Sequence, residues 1–320
     1  MKSAVLFSLI VLVVSLTGCA GVNSSVSLES KKVVFIGDSI THGGKYVSYI
    51  EYFLQKNNPE AEYNIISVGL GSETVSGLSE KDHPFPRPCV HTRLDNILRE
   101  TKPEVLFSCY GMNDGIYHPQ SPERMQAYKD GYQKLIEKAW KYGVKKIILL
   151  TPPPFDPVPV SKKTIKSGEF SYKHPYENYN DVLVDYAVYL KTIKIDNVSV
   201  VDLNGPLIEF VNSKRKADPG YTLSRDGIHP GNEGHLLMAT AVLKGIGYSF
   251  DIPTANDVKS VDSDKLFNLV NKKRSMRSGG WLEYIGYTRG KTVKKDSVKE
   301  TESNCMKLQS EIDNLRKVSK

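Results

Sequence analysis

A serine, an aspartate and a histidine spread along the chain have the types and local settings that nucleophilic catalysis needs. Ser39 stands in Gly37-Asp38-Ser39-Ile40-Thr41, directly after the apolar run Val33-Val34-Phe35-Ile36. A tight glycine turn there can expose its hydroxyl at the exit of a buried strand. A serine hydroxyl is a weak nucleophile at neutral pH until an imidazole takes its proton and a carboxylate fixes the imidazole's tautomer. Asp226-Gly227-Ile228-His229-Pro230, near the far end of the globular region, supplies both groups. The chemistry would be acyl transfer, in which negative charge builds on a carbonyl oxygen and must meet preplaced hydrogen-bond donors. Two further segments, Ser67-Val68-Gly69-Leu70-Gly71 and Gly111-Met112-Asn113-Asp114, each follow an apolar strand. The N–H groups of Ser39 and Gly69 and the side-chain amide of Asn113 are the candidate donors.

Taken in order, these four blocks resemble those of the SGNH, or GDSL, hydrolase family, which carry Ser, Gly, Asn and His. Gly37-Asp38-Ser39-Ile40 differs from the usual leucine only by an isomer, while Gly111-Met112-Asn113-Asp114 and Asp226-Gly227-Ile228-His229-Pro230 match fully. In the second block Ser67 stands where an asparagine often precedes the glycine. The resemblance spans residues 33–246. It implies Ser39, His229 and Asp226 as catalytic groups, an oxyanion hole of Ser39, Gly69 and Asn113, and no metal or organic cofactor. His42, His83, His91, His118, His174 and His235 have no role to inherit and read as solvated or structural. No pair of histidines has a metal-ligand spacing such as H-E-x-x-H. Gly44-Lys45 fails as a phosphate loop, because Ser39 occupies the required glycine position and Tyr46 replaces the needed Ser or Thr. The G-x-S-x-G elbow of the α/β-hydrolases is absent around Ser39.

Strands predicted over 33–36, 63–68, 105–110, 146–150 and 198–201 alternate with helices predicted over 45–55, 94–101, 124–142, 179–192 and 233–243. The alternation predicts an α/β fold with a parallel five-stranded sheet. The resemblance implies the same, a three-layer α/β/α architecture of flavodoxin-like kind. Reactive loops gather at the carboxyl ends of such strands, where Ser39, Gly69 and Asn113 all fall, with His229 opening the last helix of the domain. The stiff segment 80–89, with Pro84, Pro86 and Pro88, and the run Pro152-Pro153-Pro154-Phe155 would wall the cleft. Arg87, Tyr117 and Phe155 are candidate contacts to substrate.

At 320 residues, 40% hydrophobic and 25% charged, the chain can bury a full core and is not disordered throughout. Its net charge of +7 is concentrated: residues 253–320 hold 15 Lys and Arg against 9 Asp and Glu, and the central region is balanced. That balance argues against a nucleic-acid groove across the catalytic region. Residues 4–16 form an apolar run too short for a comfortable membrane span, followed by Leu16-Thr17-Gly18-Cys19. The tetrapeptide resembles a bacterial lipobox, which implies a signal peptide over 1–18, lipidation of Cys19 and a tether over 19–30. A domain over 31–250 and a basic helical extension over 251–320 complete the predicted organisation. The expected location is the bacterial envelope, on the outer membrane by preference, with the lipid as the only membrane contact. Cys89 and Cys109 either pair as a disulfide or stay as two buried thiols. Val298, Cys305, Leu308, Ile312 and Leu315 predict a final helix packed on its own domain rather than a coiled coil.

The function expected from these features is a serine esterase acting on short acyl groups, O-acetyl groups on carbohydrate foremost. A lysophospholipase or thioesterase of the same family is the rival, and a non-catalytic glycan-binding lipoprotein is the alternative of a different class. Activity should rise with pH through an imidazole inflection at about 6.5.

Overall fold

The computed structural model describes residues 25–249, 257–287 and 296–318; Cys19 and the segment before it lie outside these. Five parallel strands, β1 (Lys32–Gly37), β2 (Asn64–Ser67), β3 (Val105–Cys109), β4 (Lys146–Leu150) and β5 (Val198–Val201), form one sheet in the order β2-β1-β3-β4-β5. The strand order is the flavodoxin-like one. β1 and β3 are buried almost throughout, as parallel strands covered on both faces must be. Their register places Phe35 opposite Phe107, and the two rings stack at 4.2 Å.

The helices are α1 (Ser39–Gly43), α2 (Lys45–Asn57), α3 (Leu94–Thr101), α4 (Pro122–Lys141), α5 (Tyr179–Thr192), α6 (Asn204–Arg215), α7 (Asn232–Gly245), α8 (Val258–Ser263), α9 (Lys265–Tyr284) and α10 (Val298–Val318). The sheet grows one way from β1 to β2 and the other way from β3 to β5. Right-handed crossovers therefore send α2 to one face and α3, α4 and α5 to the other. α2 packs with α7 and α9 on its face, and α3 packs with α4 on the opposite one. α4 starts where the chain offers Ser121 as cap, its hydroxyl accepting from the Arg124 amide, with Pro122 in the first turn.

Sequence reasoning overlooked α1 and α6, which are short or weakly patterned. α7 starts at Asn232, so His229 sits in the turn before the helix instead of opening it. Cys89 and Cys109 are both free thiols. Cys89 pairs with Thr74 in a short bridge, while Cys109 ends β3 opposite Gly37, so each belongs to a different local pairing. α10 packs along α9 with Cys305, Leu308 and Ile312 buried. Gly280 permits the approach, since a Cβ there would lie 2.2 Å from the Thr301 hydroxyl oxygen. α9 in turn covers the β2 edge, where Arg277 donates to the Ile65 carbonyl at 3.1 Å. Among the described residues no helix is long and apolar enough to cross a membrane.

Candidate active site

Ser39 is the first residue of α1, and buried Asp38 caps that helix by accepting from the Ile40 amide at 2.9 Å. Burial pushes the Asp38 carboxyl up to about 7, against the pull of that hydrogen bond and of His229. At the far end of the chain Asp226 folds its own turn: Oδ1 accepts the amides of Ile228 at 3.0 Å and His229 at 2.8 Å. This local Asx geometry swings the imidazole back so that Nδ1 meets Asp226 Oδ2 at 2.6 Å. Nε2 then lies 2.7 Å from Ser39 Oγ. With Nδ1–H donated to the carboxylate, Nε2 is the free base facing the hydroxyl.

The electrostatics follow the same chain. The hydrogen bond to Asp226 raises His229 above the ordinary imidazole value, outweighing the burial that would lower it. Burial would raise Asp226, but the side chain and amide of His229 and the amide of Ile228 hold its carboxyl well below the usual range. The inflection expected at about 6.5 is thereby moved upward. Both groups are open to solvent, Asp226 at 56% and His229 at 47% side-chain exposure, so bound substrate can strengthen their coupling by displacing water.

A cleft of about 390 Å³ receives Ser39 and His229 together with Gly71, Ser72, His83, Pro84, Phe85, Arg87, Asn113, Tyr117, Tyr172 and Ile228. Asn113 is held from three sides. Its Oδ1 accepts from Arg87 Nη1 at 3.0 Å and from the Tyr117 hydroxyl at 3.2 Å, and its Nδ2 donates to the Glu73 carbonyl at 3.1 Å. With the oxygen doubly occupied, the amide orientation is fixed and one N–H remains for the cleft. Arg87 is itself clamped: Nε and Nη2 both bond the Glu80 carboxylate at 2.6 Å, and the pair is buried. Tyr117 and Ile116 lie in the left-handed region, with φ of 60° and 46°. Such strain in non-glycine residues is held by the surroundings, here in a turn that aims the Tyr117 hydroxyl at the amide. Asp114 ties the loop after the second block to the third block, its Oδ1 accepting the amides of Val75 and Ser76, each at 2.8 Å.

Gly69, expected as an oxyanion donor, is not among the residues that line the cleft. A Cβ on it would stand 2.5 Å from the His42 amide nitrogen, so it is glycine because α1 passes against it. The residues of this block that reach the cleft are Gly71 and Ser72, and Ser72 has the positive φ of 65° that glycine would favour. Of the contact candidates, Arg87 and Tyr117 reach the cleft, whereas Phe155 is buried beside Tyr179. Of the six other histidines, His83 alone lines this cleft, with its ring near Phe85 and Tyr172. Buried His235 stacks on Tyr46, and burial pushes it down to about 3. Sequence reasoning missed Glu80 and Glu73. A buried carboxylate seven residues from its arginine, or reached only through the fold, leaves no motif.

Residues 35–237 match the model of the GDSL-like lipase/acylhydrolase family. The chain belongs to that family, and it is a carboxylic ester hydrolase. An acetylxylan esterase from Geobacillus stearothermophilus is 25% identical over 243 residues, covering 69% of this chain and 96% of that protein. A solved structure of a catalytic mutant of an acetylxylan esterase from the same organism superposes with a TM-score of 0.52 at 23% identity, over 69% of this chain and 96% of that one. A gut microbial diltiazem-metabolizing enzyme gives a TM-score of 0.55 at 24% identity over 71% of this chain. The match takes in 49% of that enzyme, so this chain spans about half its length. These two likenesses bear on the fold.

Proposed function

We propose that the protein is a serine esterase that removes short acyl groups, acetyl above all, from carbohydrate. The observation that carries the mechanism is the continuous chain from Asp226 through His229 to Ser39. Ser39 Oγ attacks the ester carbonyl as its proton passes to His229 Nε2, and the imidazolium is stabilised by Asp226. The oxyanion is met by the Asn113 amide, the Ser39 N–H and the backbone of the Gly71–Ser72 turn, which takes the role expected of Gly69. His229 returns the proton to the leaving alcohol, leaving an acyl group on Ser39. Water activated by the same imidazole then releases the acid.

The substrate side rests on the lining of the cleft. Ile228 is its single aliphatic side chain besides proline, whereas Phe85, Tyr117, Tyr172 and His83 offer flat faces, the tyrosines and the histidine with a polar edge as well. Each methylene of a long acyl chain gains about 0.8 kcal/mol on burial, and the apolar surface of this cleft is made of ring faces rather than an aliphatic channel. Aromatic faces with polar edges suit a sugar, and the acetylxylan esterase relative is in keeping with that class. The test is a panel of p-nitrophenyl esters from acetyl to octanoyl, together with acetate release from acetylated polysaccharide. kcat/KM should fall steeply with chain length; a preference for octanoyl would replace this reading with the lysophospholipase or thioesterase one.

The proposed setting is the bacterial envelope, with Cys19 lipidated after removal of residues 1–18 and an outer-membrane location preferred. Leu16-Thr17-Gly18-Cys19 supports it. Labelled palmitate should enter the wild-type protein and not the Cys19→Ser variant; equal labelling of both would dismiss the anchor.

A further inference from the structure

The C-terminal helices bury more positive charge than the surface beneath them neutralises. α9 presses two adjacent cations onto α2, Lys273 and Arg274, at 4% and 6% exposure. Among the described residues one buried carboxylate meets them: Glu51, whose Oε1 accepts from the Lys273 ammonium. Arg274 forms no ion pair among the described residues. Its Nε donates to Ser48 Oγ at 3.0 Å, and neither Nη group has a hydrogen-bond partner there. Glu51 attracts it only through space, and burial pulls the guanidinium down to about 10.

Arg274 lines a cavity of about 250 Å³, distinct from the cleft and shared with His42, Ser275, Ser278, Leu282 and Tyr287. Ser278 Oγ, buried in the same wall, also has no partner. The cavity therefore joins an unmatched planar cation and a free hydroxyl donor to a wall with apolar patches from Leu282 and Tyr287. A guanidinium presents two parallel N–H groups to two oxygens of one anion, and a serine hydroxyl can donate to a third. A buried cation whose one nearby counter-charge is already paired with another is costly, so a site of this kind favours an anion over an empty or purely aqueous cavity. Access runs past exposed His42, which belongs to the same short helix as Ser39 and bonds the Gly69 carbonyl through Nδ1 at 3.0 Å.

We propose that this cavity is a binding site for a small oxyanion, a carboxylate or a phosphate, anchored by the Arg274 guanidinium and Ser278. An ion bound there would join α9 to the helix that carries the nucleophile. The site does not depend on the esterase reading, and its test needs no turnover.

The experiment is thermal unfolding of the full chain titrated separately with sodium phosphate and sodium acetate, each against sodium chloride at equal ionic strength. A ligand confined to the native state should raise the Tm saturably, by about 3 °C at roughly tenfold its Kd. Chloride should not do so. Arg274→Gln should abolish the ion-specific rise, and Ser278→Val, which keeps the cation but fills the cavity with methyls, should weaken affinity at least about tenfold. Acetate would also be a product at Ser39, so the Arg274 and Ser278 variants, both outside the cleft, carry the assignment. A response to one anion alone identifies which of the two the site takes. The proposal is overturned if neither anion exceeds chloride in the wild type, or if Arg274→Gln retains the full response. Should Arg274→Gln fail to fold, undiminished affinity in Ser278→Val overturns it equally.

Discussion

The cleft and the C-terminal helical pair both bury arginine, and they settle its charge in opposite ways. Beside the cleft each buried guanidinium grips one carboxylate with two nitrogens, Arg87 on Glu80 at 2.6 Å and Arg93 on Glu73 at 2.5 and 2.6 Å. Once each cation has its own carboxylate, what is left over is direction. Arg87 has one nitrogen free, and it aims the Asn113 amide. Under α9 the matching is incomplete, with Lys273 and Arg274 sharing Glu51. Arg316 of α10 divides its guanidinium, Nη1 pairing with Asp313 at 2.9 Å and Nη2 donating to backbone carbonyls, among them Ala61 at 2.9 Å. Matched ions position groups; unmatched ones attract and hold.

The comparison can be broken most decisively at the cleft itself. Ser39→Ala should lower kcat by about a millionfold if the serine acts as nucleophile. Turnover of p-nitrophenyl acetate near the wild-type rate would remove Ser39 from the mechanism. Under α9, Glu51→Gln should cost about 3–5 kcal/mol in denaturant unfolding, because two buried cations lose their one carboxylate. The folded fraction should keep its kcat, and a loss of kcat at unchanged stability would reverse the roles given to the two regions. Asn113→Ala should reduce kcat by about a hundred to a thousandfold. Arg87→Ala, acting through that amide, should reduce it by about ten to a hundredfold with KM little changed. Arg87→Lys should restore little of it, since an ammonium cannot grip Glu80 and Asn113 together. A change confined to KM would make Arg87 a substrate contact.

The pH profile sharpens the same picture. A raised His229 holds its proton to higher pH, so the basic form required for attack fills only above the ordinary value of about 6.5. kcat/KM should therefore climb with pH through an inflection above that value, and one at or below it would mean that Asp226 does not support the imidazole. The smallest effect lies at Ser72. Glycine there would relieve the left-handed conformation and stabilise by about 1 kcal/mol in thermal unfolding with turnover retained. A large loss of kcat would show that the serine side chain takes part.

Legibility of the site tracked how locally each residue is set. Ser39, Asp226 and His229 each belong to a turn that a few neighbouring residues build, so short blocks placed them in the sequence and the fold had only to bring the blocks together. Asn113 was legible for the same reason, but what aims it was not. Arg87 and Tyr117 come from two different loops, and neither spacing nor residue type announces that they converge on one amide oxygen or that Glu80 holds Arg87 there. Gly69 shows a second reason for a glycine in a recognisable block: α1 crosses it, and a Cβ there would stand 2.5 Å from the His42 amide nitrogen. The positive φ nearby falls on Ser72, a residue whose type gives no hint of it.

The sequence by itself determined the alternation of strand and helix, the parallel sheet and the residue types of the candidate site. Hydrophobic period and turn chemistry are local, and a parallel sheet puts strand exits at one edge whatever the loops do. Only the tertiary structure decided which side chains reach the cleft, which carboxylates hold Arg87 and Arg93, and that the basic C-terminal helices lie against α2 and the β2 edge. Those outcomes depend on the desolvation and pairing of charges far apart in the chain, and distance in sequence carries no record of distance in space.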